Sequence, residues 1–370
     1  MRVKLKDITK FSKGTQINGK NLIDDGAYSY LNGGINPSGK WNEFNVAENT
    51  VTISEGGNSS GYVNYMNKAF WCGAHCYYLY DGPKNSKYLY YALKSQQERL
   101  FRIRSGACMP NIKKSDLGNF IIEYEEDETR QEEVVKVLEK CELLIEDYNK
   151  KLTLLDEAVR ARFVEMFGDP VINSCQFPVQ PMTDICDIID GDRGKNYPKS
   201  EEILDDGYCL FLNAKNVTQK GFDFENCNFI TREKDDALRN GKLSRGDVVL
   251  TTRGTVGNLA YYSKNVPYEN IRINSGMVIL RMNRSILNEI YFIELFKMKL
   301  SDIKEKIASG SAQPQLPIST MNKIILMIPP LELQNQFASF VQEIDKSRLR
   351  ELLAIKQIKL LLNDSWLLLY

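Results

Sequence analysis

The feature that most restricts what this chain can fold into is an internal repeat. Ser105-Gly106-Ala107-Cys108-Met109-Pro110-Asn111-Ile112 is matched, 204 residues further on, by Ser309-Gly310-Ser311-Ala312-Gln313-Pro314-Gln315-Leu316. Each copy leads through Ser115-Asp116-Leu117 or Ser319-Thr320-Met321 into an apolar run, Phe120-Ile121-Ile122 or Ile324-Ile325-Leu326, and then into a long helical pattern. The match extends upstream with gaps. Leu5-Lys6-Asp7-Ile8 pairs with Met182-Thr183-Asp184-Ile185, and Asp24-Asp25-Gly26-Ala27-Tyr28 with Asp205-Asp206-Gly207-Tyr208-Cys209. Thr52-Ile53-Ser54-Glu55-Gly56 pairs with Val249-Leu250-Thr251-Thr252-Arg253-Gly254. A period this long is not that of a solenoid. It describes one domain-plus-helix unit present twice, and 370 residues give room for two such domains at roughly 150 residues each.

The helical part of the first copy carries apolar residues at Val134, Leu138, Cys141, Ile145, Tyr148, Leu152, Leu155 and Val159, with Met166 after a break at Arg162. Steps of four and three make a heptad seam, the pattern of a coiled coil. Thr129 with Glu132 fits a capping box, and Gly168-Asp169-Pro170 ends the helix. The second helix follows Pro329-Pro330 and bears Phe337, Val341, Ile344, Leu352, Ile355, Ile358 and Leu362. Each stripe needs an apolar partner, and the simplest partner is the other helix. The expected fold is therefore α+β: two globular domains related by a pseudo-two-fold axis and joined by two long antiparallel helices forming a coiled-coil spacer. The expected boundaries are 1–128, 129–170, 171–330 and 331–370. The apolar end Trp366-Leu367-Leu368-Leu369-Tyr370 suggests a further packing partner.

The globular parts mix short β-type runs such as Asp247-Val248-Val249-Leu250 with helical stretches at 88–105 and 287–306. Several loops carry residue types suited to DNA. In the second copy Arg253, Thr255 and Asn258 share a glycine-containing loop, with Lys215, Asn216, Arg272, Asn274 and Gln313 in others. In the first copy the counterparts are Glu55, Asn58, Ser59, Asn32 and Arg104. Arginine can bond guanine or phosphate, asparagine and threonine can bond bases or phosphates, and a glutamate can accept from cytosine. Taken singly, each is more often a turn or a solvated loop than a DNA contact. Two readers held on a stiff rod would suit a duplex, whose major groove faces one side every ~34 Å.

Composition excludes more than it selects. Lys+Arg and Asp+Glu both number 48, so nucleic-acid affinity must come from local basic surfaces or a basic partner. There is one histidine, which argues against a His-based triad or metal centre. Cys72, His75 and Cys76 lie close in sequence, yet the spacing is short of a four-ligand zinc site. Gly191-Asp192-Arg193-Gly194-Lys195 lacks the phosphate-loop spacing. Neither a leader nor an apolar span of ~18 residues is visible, so a cytoplasmic protein without membrane contact is expected.

The duplicated Ser-Gly-x-x-x-Pro-x-[Ile/Leu], strand and long helix resemble the specificity subunits of type I restriction-modification systems. So do Pro329-Pro330-Leu331-Glu332-Leu333-Gln334 and Arg162-Phe163-Val164-Glu165-Met166-Phe167-Gly168-Asp169-Pro170. The first copy departs from this pattern by carrying Glu125-Glu126 where the second has Pro329-Pro330. The resemblance spans essentially the whole chain. It implies a non-catalytic subunit with two target recognition domains, each reading one half of a split asymmetric site in double-stranded DNA. The helices would set the spacing and dock two methyltransferase subunits, and two motor-nuclease subunits would join for restriction. S-adenosylmethionine, ATP and Mg²⁺ would belong to those partners, with none bound by this chain. Two other readings stay open: a coiled-coil scaffold with two binding modules, and a metal-dependent nuclease using clusters such as Asp205-Asp206 or Asp235-Asp236.

Overall fold

The computed structural model describes residues 1–106, 108–308 and 315–368, with 301–308 and 363–368 described by backbone alone. The chain divides into two compact units, Met1–Lys150 with Glu351–Tyr370, and Lys151–Arg350. Mixed helix and strand content is found in both.

Each unit is built on the same plan. In the first, strands Lys10–Lys13, Cys76–Tyr80, Thr50–Ser54 and Val63–Met66 form an antiparallel sheet in that spatial order. A smaller sheet sets Tyr28–Leu31 between antiparallel Gly39–Trp41 and parallel Phe70–Cys72. In the second, Cys186–Asp190, Met277–Met282, Val248–Thr251 and Leu259–Tyr261 repeat the four-stranded order. Cys209–Leu212 again lies between an antiparallel strand, Phe229–Ile230, and a parallel one, Ile271–Ile273. A two-stranded ribbon closes each unit: Arg2–Lys4 with Ile121–Glu123, and Val179–Pro181 with Ile325–Met327. The upstream repeat matches mark equivalent turns, since Leu5 N donates to Phe120 O and Met182 N to Ile324 O, both at 2.9 Å.

The central sheet of the second unit is covered on both faces. Val248, Leu250, Val278 and Leu280 join one core cluster, while Val249, Met277 and Ile279 join another. Successive side chains point to opposite faces of a strand, which is why these segments read as unbroken apolar runs. The first core is completed by helix Glu289–Ala308 and by both long helices. Phe163 lies 5.6 Å from Tyr291 and 5.4 Å from Phe337, and Phe167 lies 4.9 Å from Tyr291. Aromatic pairs of this kind contribute about 0.5–1.5 kcal/mol each beyond their buried area. They fix the helix ends to the domain that carries the loops.

The long helices span Glu128–Phe167 and Leu331–Leu368. On the first, Val134, Leu138, Cys141, Ile145, Tyr148, Leu152, Leu155 and Val159 are all sheltered, as are flanking positions such as Gln131, Val135 and Phe163. On the second the stripe needs one correction: Leu352 is 45% exposed, and Arg348 and Glu351 occupy sheltered places instead. Arg348 donates to Asp156 at 2.6 Å. The capping box is corrected too, because Asp127 caps the first helix by accepting from Thr129 N at 2.8 Å. Glu125 does the turning done elsewhere by proline. Its carboxylate accepts from Asp127 N at 3.0 Å and Glu126 N at 2.8 Å, and the Asp127 amide foremost holds its pKa below the usual range. The expected helix over 88–105 is broken into Ser86–Lys94 and Gln97–Arg102.

Buried glutamines lock both helix starts. Gln131 donates to Glu125 O at 2.6 Å. Gln334 donates to Pro329 O at 2.8 Å and accepts from Asn288 N at 2.8 Å. Among the described residues no helix is long and apolar enough to cross a membrane.

Candidate nucleic-acid interface

In each unit the strand ends release loops that are tied together by main-chain hydrogen bonds. In the first, Glu55 N donates to His75 O (2.9 Å), Ile112 N to Glu55 O (2.9 Å) and Gly73 N to Leu31 O (2.9 Å). In the second, Thr252 N donates to Gly276 O (2.8 Å), Leu316 N to Thr252 O (3.0 Å) and Asn274 N to Leu212 O (3.1 Å). Single β-bridges join Gly56 to Asn111 and Arg253 to Gln315 at matching places. Each unit also brings a glycine against this bracket. A Cβ on Gly14 would lie 1.9 Å from Cys72 O, and one on Gly191 would lie 2.2 Å from Asn274 O. No side chain fits there, so the backbone passes close.

The side chains hung on the matching positions are unlike: Glu55 stands for Thr252, Gly56 for Arg253, His75 for Gly276, Gly73 for Asn274 and Lys13 for Asp190. The two units thus offer one frame with two chemistries. The first presents Lys13 and His75 around Glu55. Lys13 Nζ bonds Glu55, and His75 Nδ1 lies 3.5 Å from its other oxygen. Glu55 is only 15% exposed at the side chain, so its oxygens are taken up by Lys13 and His75 and it is not the free acceptor expected for cytosine. Asn32 Oδ1 accepts from His75 N at 3.2 Å. Ser59 donates to Gly33 O at 2.6 Å, and Asn58 stays exposed. Arg104 lies over the Phe101 ring at 4.6 Å and donates to Asn58 O at 3.3 Å.

In the second unit Arg253, Thr255 and Lys215 are exposed on neighbouring loops. Asn274 Oδ1 accepts from Gly276 N at 2.9 Å and shapes the turn beside Arg253. Arg193 joins them, donating to Ser275 O at 3.3 Å.

Three expected DNA contacts are internal instead. Asn216 is 1% exposed and donates to Asp223 O and Asn226 O. Asn258 is 6% exposed and donates to Val217 O at 2.9 Å. Arg272, 5% exposed, bonds Asp235 Oδ1 and donates to Asp235 O (2.7 Å), Asn240 O (2.8 Å) and Leu238 O (3.1 Å). All three are pinned by backbone carbonyls that would lose a donor if the side chain left. Gln313 lies outside the described residues.

Carboxylates brace the second site. Burial works against ionisation of Asp235, but its bonds to Lys242 and Arg272 outweigh it and hold the pKa below the usual range. Asp192 is held at about 2, first by the Gly194 amide and then by the Arg239 amide. The Cys72 thiol is raised, first by its hydrogen bond with Cys76 and then by burial, as suits a protonated core residue. Among the described residues no group of three or more His, Cys, Asp or Glu is placed to hold a metal ion. Lys13, His75 and Arg193 were missed in the sequence because only the register of the sheets brings them beside the loops. The matched strand ends were the one signal that could have found them.

Comparison with known proteins agrees with this duplicated frame. The family model described as the type I restriction modification DNA specificity domain matches residues 1–155 and 177–360. A protein named as a type I specificity subunit from Mycoplasma genitalium is 28% identical, covering 90% of this chain and 84% of its own. One from Mycoplasma pneumoniae is 26% identical, covering 93% and 88%. Among solved structures, a type I restriction-modification S subunit from M. genitalium superposes with a TM-score of 0.60 at 22% identity, covering 99% of this chain and 94% of that one. A chain from a structure of a type I restriction-modification system gives 0.51 at 14% identity, covering 99% and 96%. With its model spanning both units, the chain belongs to the type I restriction-modification DNA specificity family.

Proposed function

We propose that this protein is the non-catalytic, cytoplasmic sequence-reading subunit of a type I restriction-modification complex, each unit recognising one half of a bipartite asymmetric DNA site. The observation that carries the reading is the pair of matching main-chain brackets bearing unlike side chains. Main-chain bonds hold a loop whatever its side chains are, so each unit can present its own set to a groove. In the second half-site Arg253 bonds a base edge, with Thr255 and Lys215 on bases or phosphates. Asn274 shapes that loop. In the first, Lys13, His75 and Asn58 make the contacts, while Asn32, Ser59, Glu55 and Arg104 hold them in place.

The two long helices act as an antiparallel coiled-coil spacer relating the units by a pseudo-two-fold axis. They also dock two methyltransferase subunits, which carry S-adenosylmethionine, and two restriction subunits, which use ATP and Mg²⁺, join that assembly. Exposed Val137, Leu143 and Leu144 on the first helix, and Leu349, Leu353 and Leu360 on the second, support docking, since such apolar surface calls for a cover.

A genome-wide methylation map tests the reading, comparing a host carrying this chain and its cognate methyltransferase with one carrying the methyltransferase alone. A split adenine-methylated motif that depends on the chain is the expected result. No new motif despite co-purification of the two proteins would overturn it in favour of a scaffold.

A further inference from the structure

We propose that the second unit holds a dedicated seat for one DNA backbone phosphate, between Lys195 and Arg239. The proposal rests on the DNA-recognition reading above and adds a ligand group and residues to it. A cleft of about 240 Å³ is lined by Asp192, Gly194, Lys195, Asn196 and Arg239. Of its three charged residues, the acid is turned inward. Asp192 is 4% exposed, and its oxygens accept from Gly194 N and Arg239 N, both at 2.7 Å. Its charge is spent on joining the two walls, and at a pKa of about 2 it stays ionised in that role. The cations face outward. The Arg239 side chain is 73% exposed, with only a 3.5 Å approach to Asp192, and Lys195 is exposed with no ion-pair partner among the described residues.

The walls are braced before any ligand arrives. Asn196 donates to Ala237 O at 2.9 Å, and Tyr197 N to Gly194 O at 3.0 Å. Beneath them Arg272 ties Asp235, Leu238 and Asn240 to its own strand. Gly194 leaves room for the guanidinium, since a Cβ there would lie 2.6 Å from Arg239 Nη2. Two outward-facing cations around a small polar cleft suit one phosphodiester of a duplex that the neighbouring loops hold in place. Arg193, which stands just before Gly194, pairs with Asp190 and reaches Ser275 O in the loop bracket that carries Arg253, so the cleft lies beside the loop proposed to read the bases. After the matching glycine the first unit has Thr15-Gln16-Ile17-Asn18, without a charge, so the seat belongs to the second unit alone.

The test uses the chain assembled with its methyltransferase and a duplex bearing the mapped motif, titrated across salt concentrations. Lys195→Gln should flatten the slope of log K against log salt by about 0.9 and weaken binding at 0.1 M salt by roughly eightfold, with the motif unchanged. In a methylphosphonate scan of the duplex, one position should cost the wild type that same loss and cost Lys195→Gln nothing further. Gly194→Ala, which keeps every charge but displaces the guanidinium, should weaken binding at the same phosphate. Inorganic phosphate should compete no better than chloride at equal ionic strength.

A wild-type slope for Lys195→Gln, an altered motif, or fully additive losses at every phosphate would overturn the seat. Specific competition by inorganic phosphate would reassign it to a free anion and overturn it as well. If the wild-type complex fails to separate its motif from a scrambled duplex, the DNA-recognition reading itself falls.

Discussion

Replacing Arg272 with alanine separates a structural arginine from a DNA-reading one. The guanidinium serves a carboxylate that is fully buried and three backbone carbonyls. Removing it leaves the Asp235 charge to Lys242 alone and strips those carbonyls of a donor. Unsatisfied buried groups cost about 1–3 kcal/mol each, and breaking a buried ion pair on one side costs about 3–5 kcal/mol in all. Water entering the gap recovers part of the sum, so about 4 kcal/mol is expected. For a unit of this size that lowers Tm by roughly 10 °C, measurable by calorimetry on the free chain. The double variant Arg272→Met with Asp235→Leu should regain only the part owed to the unpaired charge, because an apolar pair replaces the ions and Lys242, 42% exposed, can turn to solvent, while the carbonyls stay without the guanidinium donor. A Tm within about 2 °C of wild type, together with weakened DNA binding, would refute this and return Arg272 to the DNA surface.

The exposed Arg253 should behave in the opposite way: Arg253→Ala leaves Tm unchanged, yet relaxes one base of one half-site by about 1–3 kcal/mol, read as degeneracy in the methylated motif. Gly191→Ala places a Cβ against the Asn274 carbonyl, and overpacking of this kind costs about 1–3 kcal/mol, to be seen as a lower urea midpoint. Asp192 has a folded pKa of about 2 against 3.8, so its stabilisation is complete above about pH 4 and is lost as the pH falls towards 2. Hydrogen exchange at the Gly194 and Arg239 amides, corrected for intrinsic rates, should accelerate over that window. Inserting one heptad between Leu143 and Thr153 should lengthen the gap between half-sites and leave both half-sites as they were; changed half-sites would remove the spacer argument.

The repeat, both long helices and the strands around Thr52 and Val249 were legible in the sequence because each rests on a periodic or duplicated apolar pattern. Leu352 misled because a leucine fits a heptad by type, whereas the sheltered place went to Arg348, whose stem can lie along apolar surface while its head reaches Asp156. The loops were found, but not which residues they expose. Asn216 and Asn258 look like base readers by composition, and nothing local says that Asp223, Asn226 and Val217 will present carbonyls to them. Arg272 is the sharpest case, since its acid lies 37 residues away on a helix that only the folded unit brings over it. Lys13 and His75 were overlooked for the same reason, being gathered onto Glu55 by the pairing of strands.

The bonds from Ile112 N to Glu55 O and from Leu316 N to Thr252 O have a consequence for how such a protein changes over generations. An amide and a carbonyl are supplied by nearly every residue type, so replacing residue 55, 56, 252 or 253 leaves those ties standing. Mutation at these positions is thereby uncoupled from folding: a lineage can try new side chains at the loop without passing through collapsed intermediates. The invariable demands fall on Gly14 and Gly191, where the neighbouring backbone leaves no volume. A recognition loop built this way can drift quickly while the molecule around it stays still.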